Sequence, residues 1–427
     1  MTGYARRVIR SKRGIAVQLG LAIALVTAGL CAAGPSAAAE PISLHWYTAP
    51  QNGGSFDKAA AECTKASNGK YRLTVEPLPS DASQQREQLV RRLAAGDSDI
   101  DLISMDVNWT AEFAEAGWVV PWPKRQAEQA AEGVIPAVLQ TGRYQGRMYA
   151  APLNTGSQLL WYRKDLVPNP PATWDEMLEI ARQLPAGERA IEVQGARYEG
   201  YTVWFNSLLA SAGGSILKDN GQVSLARQPT EDALRIMHDV ATAPGADRSL
   251  SNNTEDEARI AFQSGSAAFQ VNYPFVYPAA KDEVPKIFAN MGVALWPRVN
   301  ADEPAHVTLG GFNLGVGKFG DNRNVAFEAA RCLEDPDLQV GYAVKDGLPP
   351  ISEALYDDPR IVKAYPFADL LLETFKEGST RPVSPAYNDI SLAVQRTLHP
   401  PSSINPKSDV DTLRSRVDDA INSRGLL

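Results

Sequence analysis

The residues best suited to chemistry in this chain are a few histidines, one glycine-rich turn and a set of scattered carboxylates. Their spacing decides what each could do. The four histidines, His45, His238, His306 and His399, stand far apart and no two share a metal-ligand spacing. Each reads as structural, because no convergent acid–base cluster surrounds it. No G-x-S-x-G nucleophile elbow occurs. Gly315, Gly317 and Gly320 satisfy G-x-G-x-x-G between an expected strand and an expected helix, the context a dinucleotide site requires. Asp321, however, would repel a pyrophosphate near the helix start. No second βαβ half follows with a ribose-binding acid, so no cofactor is expected. Asp106 and Glu255 remain as carboxylates that a glycosidase could set about 5–9.5 Å apart across a glycosidic bond.

A different chemistry fits the amides, acids and rings that fall on expected loops. A sugar offers apolar CH faces and a belt of hydroxyls, so its site needs flat rings and paired hydrogen-bonding side chains. Gln51 and Asn52 follow the first expected strand, and Asp106, Asn108 and Trp109 follow the third. Ligands of open α/β sheets bind beyond the carboxyl ends of the strands, where all five residues fall. Trp109 reads equally well as core packing and Asn108 as a helix N-cap, which leaves Asp106 the best placed of the set.

The elements that must position these residues alternate. Ile42–Tyr47, Tyr71–Pro77 and Ile100–Met105 read as strands. Helices are expected at Phe56–Ala66, Gln84–Ala95 and Trp109–Ala116. The βαβαβ order implies a mostly parallel sheet. A second region repeats the alternation, with strands Gln158–Tyr162 and Ala267–Asn272 and helices Trp174–Leu184, Asn206–Ala212, Glu231–Val240 and Glu255–Ser264. Thr173 is the expected N-cap of the first of these helices, with Glu176 at the capping-box position. Val307–Val316 reads as one more strand, followed by helices at Val325–Leu333, Asp337–Tyr342, Ile390–Leu398 and Asp409–Ser423.

A chain of 427 residues is too long for one core. The formal net charge of -8, with no basic block beyond the N-terminus, argues against nucleic acid as a partner. Residues 1–39 read as a signal peptide: Arg6, Arg7, Arg10, Lys12 and Arg13, then an uncharged apolar run from Ile15 to Ala33, then a small-residue site at Ala37–Ala39. Cleavage after Ala39 removes those five cations and no acid, taking the net charge from -8 to -13. The apolar run is nearly long enough to span a bilayer, so an uncleaved anchor stays open. Cys31 resembles a lipobox cysteine but follows Leu30 rather than a small residue, which leaves lipid attachment open. The mature chain keeps Cys63 and Cys332, an even pair that suggests a disulfide in an exported protein. No C-x-x-C and no cysteine–histidine cluster points to a metal.

Several blocks carry a family likeness in their order and spacing. They are DLISMDVNWTAEFAEAGWVVPW (Asp101–Trp122), GRMYAAPL (Gly146–Leu153), LWYRKDLV followed by PPATWDEMLEIA, WFNSLLASAGGSIL (Trp204–Leu217), ARIAFQSGSAAFQVNYPF (Ala258–Phe275) and TLGGFNLGVGK (Thr308–Lys318). The chain resembles the family 1 extracellular solute-binding proteins, the sugar-binding subunits of ABC importers, over nearly all its mature length. WTAEFAEAGW, QLLWYR, VWFNSLL, APGAD and RPVSPAYNDIS are most similar to the trehalose-importer branch of actinobacteria, which also has cysteines where Cys63 and Cys332 stand.

The resemblance implies an α/β, two-lobe periplasmic-binding-protein-like fold with a hinge and a central ligand cleft. It places 42–150 plus 274–312 in lobe one and 155–270 plus 318–427 in lobe two. Crossings are expected near Ala150–Asn154, Val271–Pro274 and Gly311–Lys318. It implies ligand contacts at Asp106, Glu255, Gly311 and Arg381, with Phe312 beside them. Tyr273 takes the place of an aromatic, and Asn154 lies two residues before Gly156, where the branch has an asparagine. With Gln51 and Asn52 these form the expected site. No catalytic residue and no cofactor are implied. The expected partners are a disaccharide, with trehalose or a related α-glucoside foremost, and the membrane permease, for an exported monomer. A maltose-type sugar, a glycerophosphodiester or a peptide as ligand, and a glycosidase activity, stay open as alternatives.

Overall fold

The computed structural model describes residues 40–423. The targeting segment expected at 1–39, including Cys31, lies outside the described residues. β-branched and aromatic residues build two sheets. The first has five strands in the order β2-β1-β3-β11-β6: β1 Ile42–Thr48, β2 Tyr71–Pro77, β3 Leu102–Asp106, β6 Ala150–Pro152 and β11 Phe312–Val316. β1 runs parallel to β2 and β3, and β11 runs antiparallel to both β3 and β6. A two-residue hairpin of β4 (Arg143–Tyr144) and β5 (Arg147–Met148) precedes β6. The second sheet has four strands, β10-β7-β9-β8: β7 Leu159–Arg163, β8 Ala190–Glu192, β9 Ala267–Asn272 and β10 Met291–Ala294. Only β8 and β9 are parallel there.

Each sheet anchors an apolar cluster, and a further cluster joins Leu159 and Trp161 of β7 to Val340 and Ala343. Around the first, Leu44, Trp46 and Leu314 pack with Phe56 and Cys63 of the helix Ser55–Ala66 and with Phe327 and Leu333 of the helix Arg323–Leu333. Cys63 and Cys332 form a disulfide between these two helices, Cα–Cα 5.8 Å. Around the second sheet, Leu160, Phe269 and Val271 pack with Trp174, Trp204 and Phe205 and with the C-terminal helices Tyr387–Leu398 and Asp409–Ile421. Thr173 caps its helix by accepting the Glu176 amide at 3.1 Å, while Glu176 Oε2 accepts from the Ala172 amide rather than from Thr173.

The frame differs from expectation at five places. β10 lies within 274–312 but pairs with β7, so that part of the stretch belongs to the second sheet. The helices Arg323–Leu333 and Pro336–Asp346 lie within 318–427 but pack with β1 and β11, because Ala326, Phe327 and Leu338 turn their apolar faces there. β9 and β10 belong to one sheet, so the chain is back in the second sheet 19 residues after Asn272, at Met291. The strand expected from Val307 starts only at Phe312, and the residues before it form the passage between the sheets. The helix expected from Asn206 starts at Glu199.

Gly315, Gly317 and Gly320 have a packing role. A Cβ at Gly317 would come 2.0 Å from the Ile100 carbonyl oxygen, and one at Gly320 2.8 Å from Asp101 Oδ1. The turn after β11 thus lies flush against the entry to β3.

Candidate ligand-binding site

Two passages between the sheets run side by side. After β6, Leu153 donates to the Phe312 carbonyl at 2.8 Å, and Gly156 and Gly310 exchange backbone hydrogen bonds of 3.1 and 2.7 Å. A third segment joins this ribbon: Leu309 donates to the Ser379 carbonyl at 2.8 Å and Ser379 to that of Val307 at 2.9 Å. The ribbon docks on the helix Glu199–Ser211, where Asn206 Nδ2 and Ser207 Oγ each lie 2.9 Å from Thr308 Oγ1. These contacts deliver Arg381, two residues past Ser379, to the end of β3 and the first turn of that helix.

Arg381 is the centre of the cluster. Its side chain is 4% exposed. Nη1 donates to Glu199 Oε1 and Nη2 to Asp106 Oδ1, both at 2.8 Å. Asp106 closes β3 of the first sheet and Glu199 opens a helix of the second, so one guanidinium ties the two halves together. The same Glu199 oxygen accepts from Asn108 Nδ2 at 3.3 Å and from the Tyr387 hydroxyl, while Oε2 accepts from Ser391 Oγ at 2.6 Å. The Tyr387 ring lies 5.9 Å from the guanidinium carbon. Burial opposes the charge on Arg381, but Asp106, Tyr387 and Glu199 outweigh it and raise its pKa well above the usual arginine range. Among the described residues, Arg381 Nε and Asn108 Oδ1 are buried without a hydrogen-bond partner, and both residues line one small cavity.

Tyr273 and Glu255 flank this centre. The Tyr273 ring rests on the glycine ribbon: a Cβ at Gly156 or at Gly310 would lie 3.8 Å from it. Burial first, then the charge of Glu255, push its hydroxyl pKa up, and Arg381 pulls it down. Glu255 opens the helix Glu255–Gln263, and burial raises its carboxyl pKa while the neighbouring Tyr198 hydroxyl lowers it. Asn272, the last residue of β9, donates to the Glu255 backbone carbonyl at 2.9 Å.

The structure therefore gathers Asp106, Arg381, Tyr273 and Glu255, with Asn108, and adds Glu199 and Tyr387. Gly311 and Phe312 act through the backbone. The Gly311 carbonyl accepts from the Val107 amide at 3.3 Å and fixes the turn after Asp106. Gly311 has φ +118°, and a Cβ there would meet the Asn154 carbonyl oxygen at 2.4 Å. Asn154 is 2% exposed, and its Oδ1 accepts from the Phe312 amide at 3.2 Å, a role in the ribbon. Gln51 is held in its own loop, its Nε2 donating to the Ala49 carbonyl at 3.2 Å, and the Gly53 and Ser55 amides beyond Asn52 donate to Asp346. Trp109 is core, stacked on Phe113 at 5.8 Å. Glu199 escaped the sequence reading because nearly every residue of its helix is buried, and a helix buried all round shows no apolar stripe to mark its start. Tyr387 stands in the block RPVSPAYNDIS, where its spacing to Arg381 was the available signal.

Residues 48–340 match the family described as bacterial extracellular solute-binding protein. A probable ABC transporter-binding protein of Deinococcus radiodurans is 30% identical over 371 residues, covering 81% of this chain and 86% of that protein. The maltose-bound MalE3 of T. maritima superimposes with a TM-score of 0.80 at 26% identity, over 88% of this chain and 99% of that one. The GacH receptor of Streptomyces glaucescens, at 17% identity and a TM-score of 0.76 over 90% of this chain and all of that one, shares the fold. The α/β architecture is that of the periplasmic binding proteins, and the chain belongs to the bacterial extracellular solute-binding proteins, which bind a solute and are not enzymes.

Proposed function

We propose that this protein is the exported binding subunit of an ABC importer and captures a disaccharide, trehalose or a related α-glucoside, between its two sheets. One lobe would comprise β1–β6 with β11, and the other β7–β10 with the C-terminal helices. The observation that carries the reading is the pair of unsatisfied groups on one cavity, the donor Arg381 Nε and the acceptor Asn108 Oδ1. A sugar hydroxyl donates and accepts at once and so can satisfy both. Leaving such groups unpaired is costly, which is how a polar cleft rejects a solute lacking the hydroxyl. Tyr273 supplies an aromatic surface beside them. The name of the Deinococcus relative supports the importer assignment, and the maltose of MalE3 supports an α-linked glucose disaccharide. Opening and closing about the glycine ribbon is a known switching mode for such proteins.

Isothermal calorimetry of the mature protein with trehalose, maltose and glycerophosphocholine tests the proposal. Binding of an α-glucoside disaccharide without release of free glucose is the expected result. Binding of glycerophosphocholine alone, or hydrolysis of the disaccharide, overturns it.

A further inference from the structure

The charges around the cleft define a narrower ligand class than sugars at large. Among the described residues that line its cavities two are cations, and each is bonded to a carboxylate. Arg381 is divided between Asp106 and Glu199. Arg86, which lines a cavity shared with Asp106, Glu199 and Tyr387, is engaged by Glu112 through both Nε and Nη2. Glu255 adds a further acid, close enough to act on the same Tyr273 hydroxyl as Asp106, Glu199 and Arg381. Two arginines thus stand among four acidic side chains. The N-terminus of the helix Ala82–Ala94 opens on that cavity and would ordinarily welcome an anion. Its own cap, Asp81, occupies that place, accepting the Gln84 amide at 2.8 Å.

We infer that the cleft excludes anionic sugars, such as sugar phosphates and uronic acids, in favour of neutral and amino sugars, and that Glu199 is a residue that sets this selectivity. The inference rests on the sugar-binding reading above and goes beyond it. Hydroxyl and ammonium groups can donate to carboxylate oxygens that are not used up by the arginines. Among the described lining residues an added phosphate or carboxylate finds no cation without a carboxylate partner, and it meets an excess of like charge in a partly desolvated site. Glu199 is decisive because it touches Arg381 and Asn108 together. Neutralising it would leave Arg381 one carboxylate fewer and make the guanidinium available to an anion.

The test uses three trehalose derivatives of nearly equal size, in which one CH2OH is kept, replaced by an ammonium-bearing CH2NH3+, or replaced by a carboxylate. Calorimetry on the mature protein is expected to find the ammonium form within tenfold of the parent and the carboxylate form about 100-fold weaker. In Glu199→Gln, which retains an oxygen to accept from Arg381 and Tyr387, the gap between parent and carboxylate should shrink at least fivefold. Glu112→Gln, on the second cation, should shrink it in the same direction and serves if the first variant does not fold. A carboxylate form within tenfold of the parent, or a gap that neither substitution moves, overturns the inference. A protein that binds trehalose and its carboxylate alike contradicts only this charge argument. A protein that binds no trehalose contradicts the proposed ligand instead, and the same three substituents on the neutral sugar it does bind then decide the charge argument.

Discussion

Replacing Arg381 by methionine removes the cation that joins Asp106 to Glu199 while keeping much of the apolar volume. The guanidinium makes two 2.8 Å bonds from a side chain that is 4% exposed, to Asp106 and Glu199 side chains that are 19% and 15% exposed. Breaking a pair this buried leaves its acids uncompensated, at a cost of about 3–5 kcal/mol. Both acids bond to neighbouring nitrogens of one fork, so their charges lie within about 8 Å of each other. At an effective dielectric constant of 20 they repel by about 2 kcal/mol. The Arg381→Met variant should therefore lose about 3–5 kcal/mol in equilibrium urea unfolding followed by tryptophan fluorescence. Adding Asp106→Asn should return about 2 kcal/mol of that loss. The sugar should bind more weakly by about 1.5–3 kcal/mol in calorimetry, the range for a charge-assisted hydrogen bond. A loss under about 1 kcal/mol would mean that the pairs behave like surface ion pairs. A double variant less stable than the single one would refute the repulsion argument.

Five further outcomes follow from the same geometry. Tyr273→Ala should weaken sugar binding with little change in melting temperature if the ring is a stacking surface; a loss of roughly 3–5 kcal/mol in stability with binding unchanged would make it a core filler instead. Gly311→Ala should destabilise by more than about 2 kcal/mol, because φ +118° and a 2.4 Å approach to the Asn154 carbonyl leave no room. Gly156→Ala, whose new methyl would meet only Tyr273 at 3.8 Å, should change urea stability by less than about 1 kcal/mol. Replacing Cys63 and Cys332 by serine opens a link across 269 residues of chain and should cost roughly 2–5 kcal/mol, read by thermal unfolding. Burial raises the Glu192 carboxyl to about 8, above its unfolded value, so the folded protein holds that proton longer. Stability should then be highest below about pH 4.5 for this group and fall as pH rises through about 8. Glu192→Gln should flatten that fall, and an unchanged pH profile would contradict the assignment.

Much of the frame was legible because local rules governed it. β1, β2, the helix Ser55–Ala66 and β9 appear within a residue of where alternation and periodicity put them, since their side-chain patterns report burial on one face directly. Asp106 was legible as a strand-end carboxylate, because the carboxyl end of β3 is where an open sheet exposes side chains. Arg381 and Glu255 came from motif spacing, which carries family history rather than local physics.

Other features had no local signature. β10 was not among the expected strands, and only its pairing with β7 assigns it to the second sheet. Arg323–Leu333 shows an apolar stripe, but a stripe does not say which sheet it will cover. Asn154 and Gln51 have the right chemistry for a sugar, yet backbone hydrogen bonds claim the first and a local loop holds the second. Glu199 shows the limit most plainly. In the sequence it is one acid among the 50 Asp and Glu residues, 182 positions from the arginine it holds. The sequence by itself determined the alternating elements from β1 to β3 and that an acid would stand at the end of β3. The tertiary structure alone decided which charges meet, because hydrogen bonds and ion pairs act over a few ångströms and chain separation carries no information about that distance.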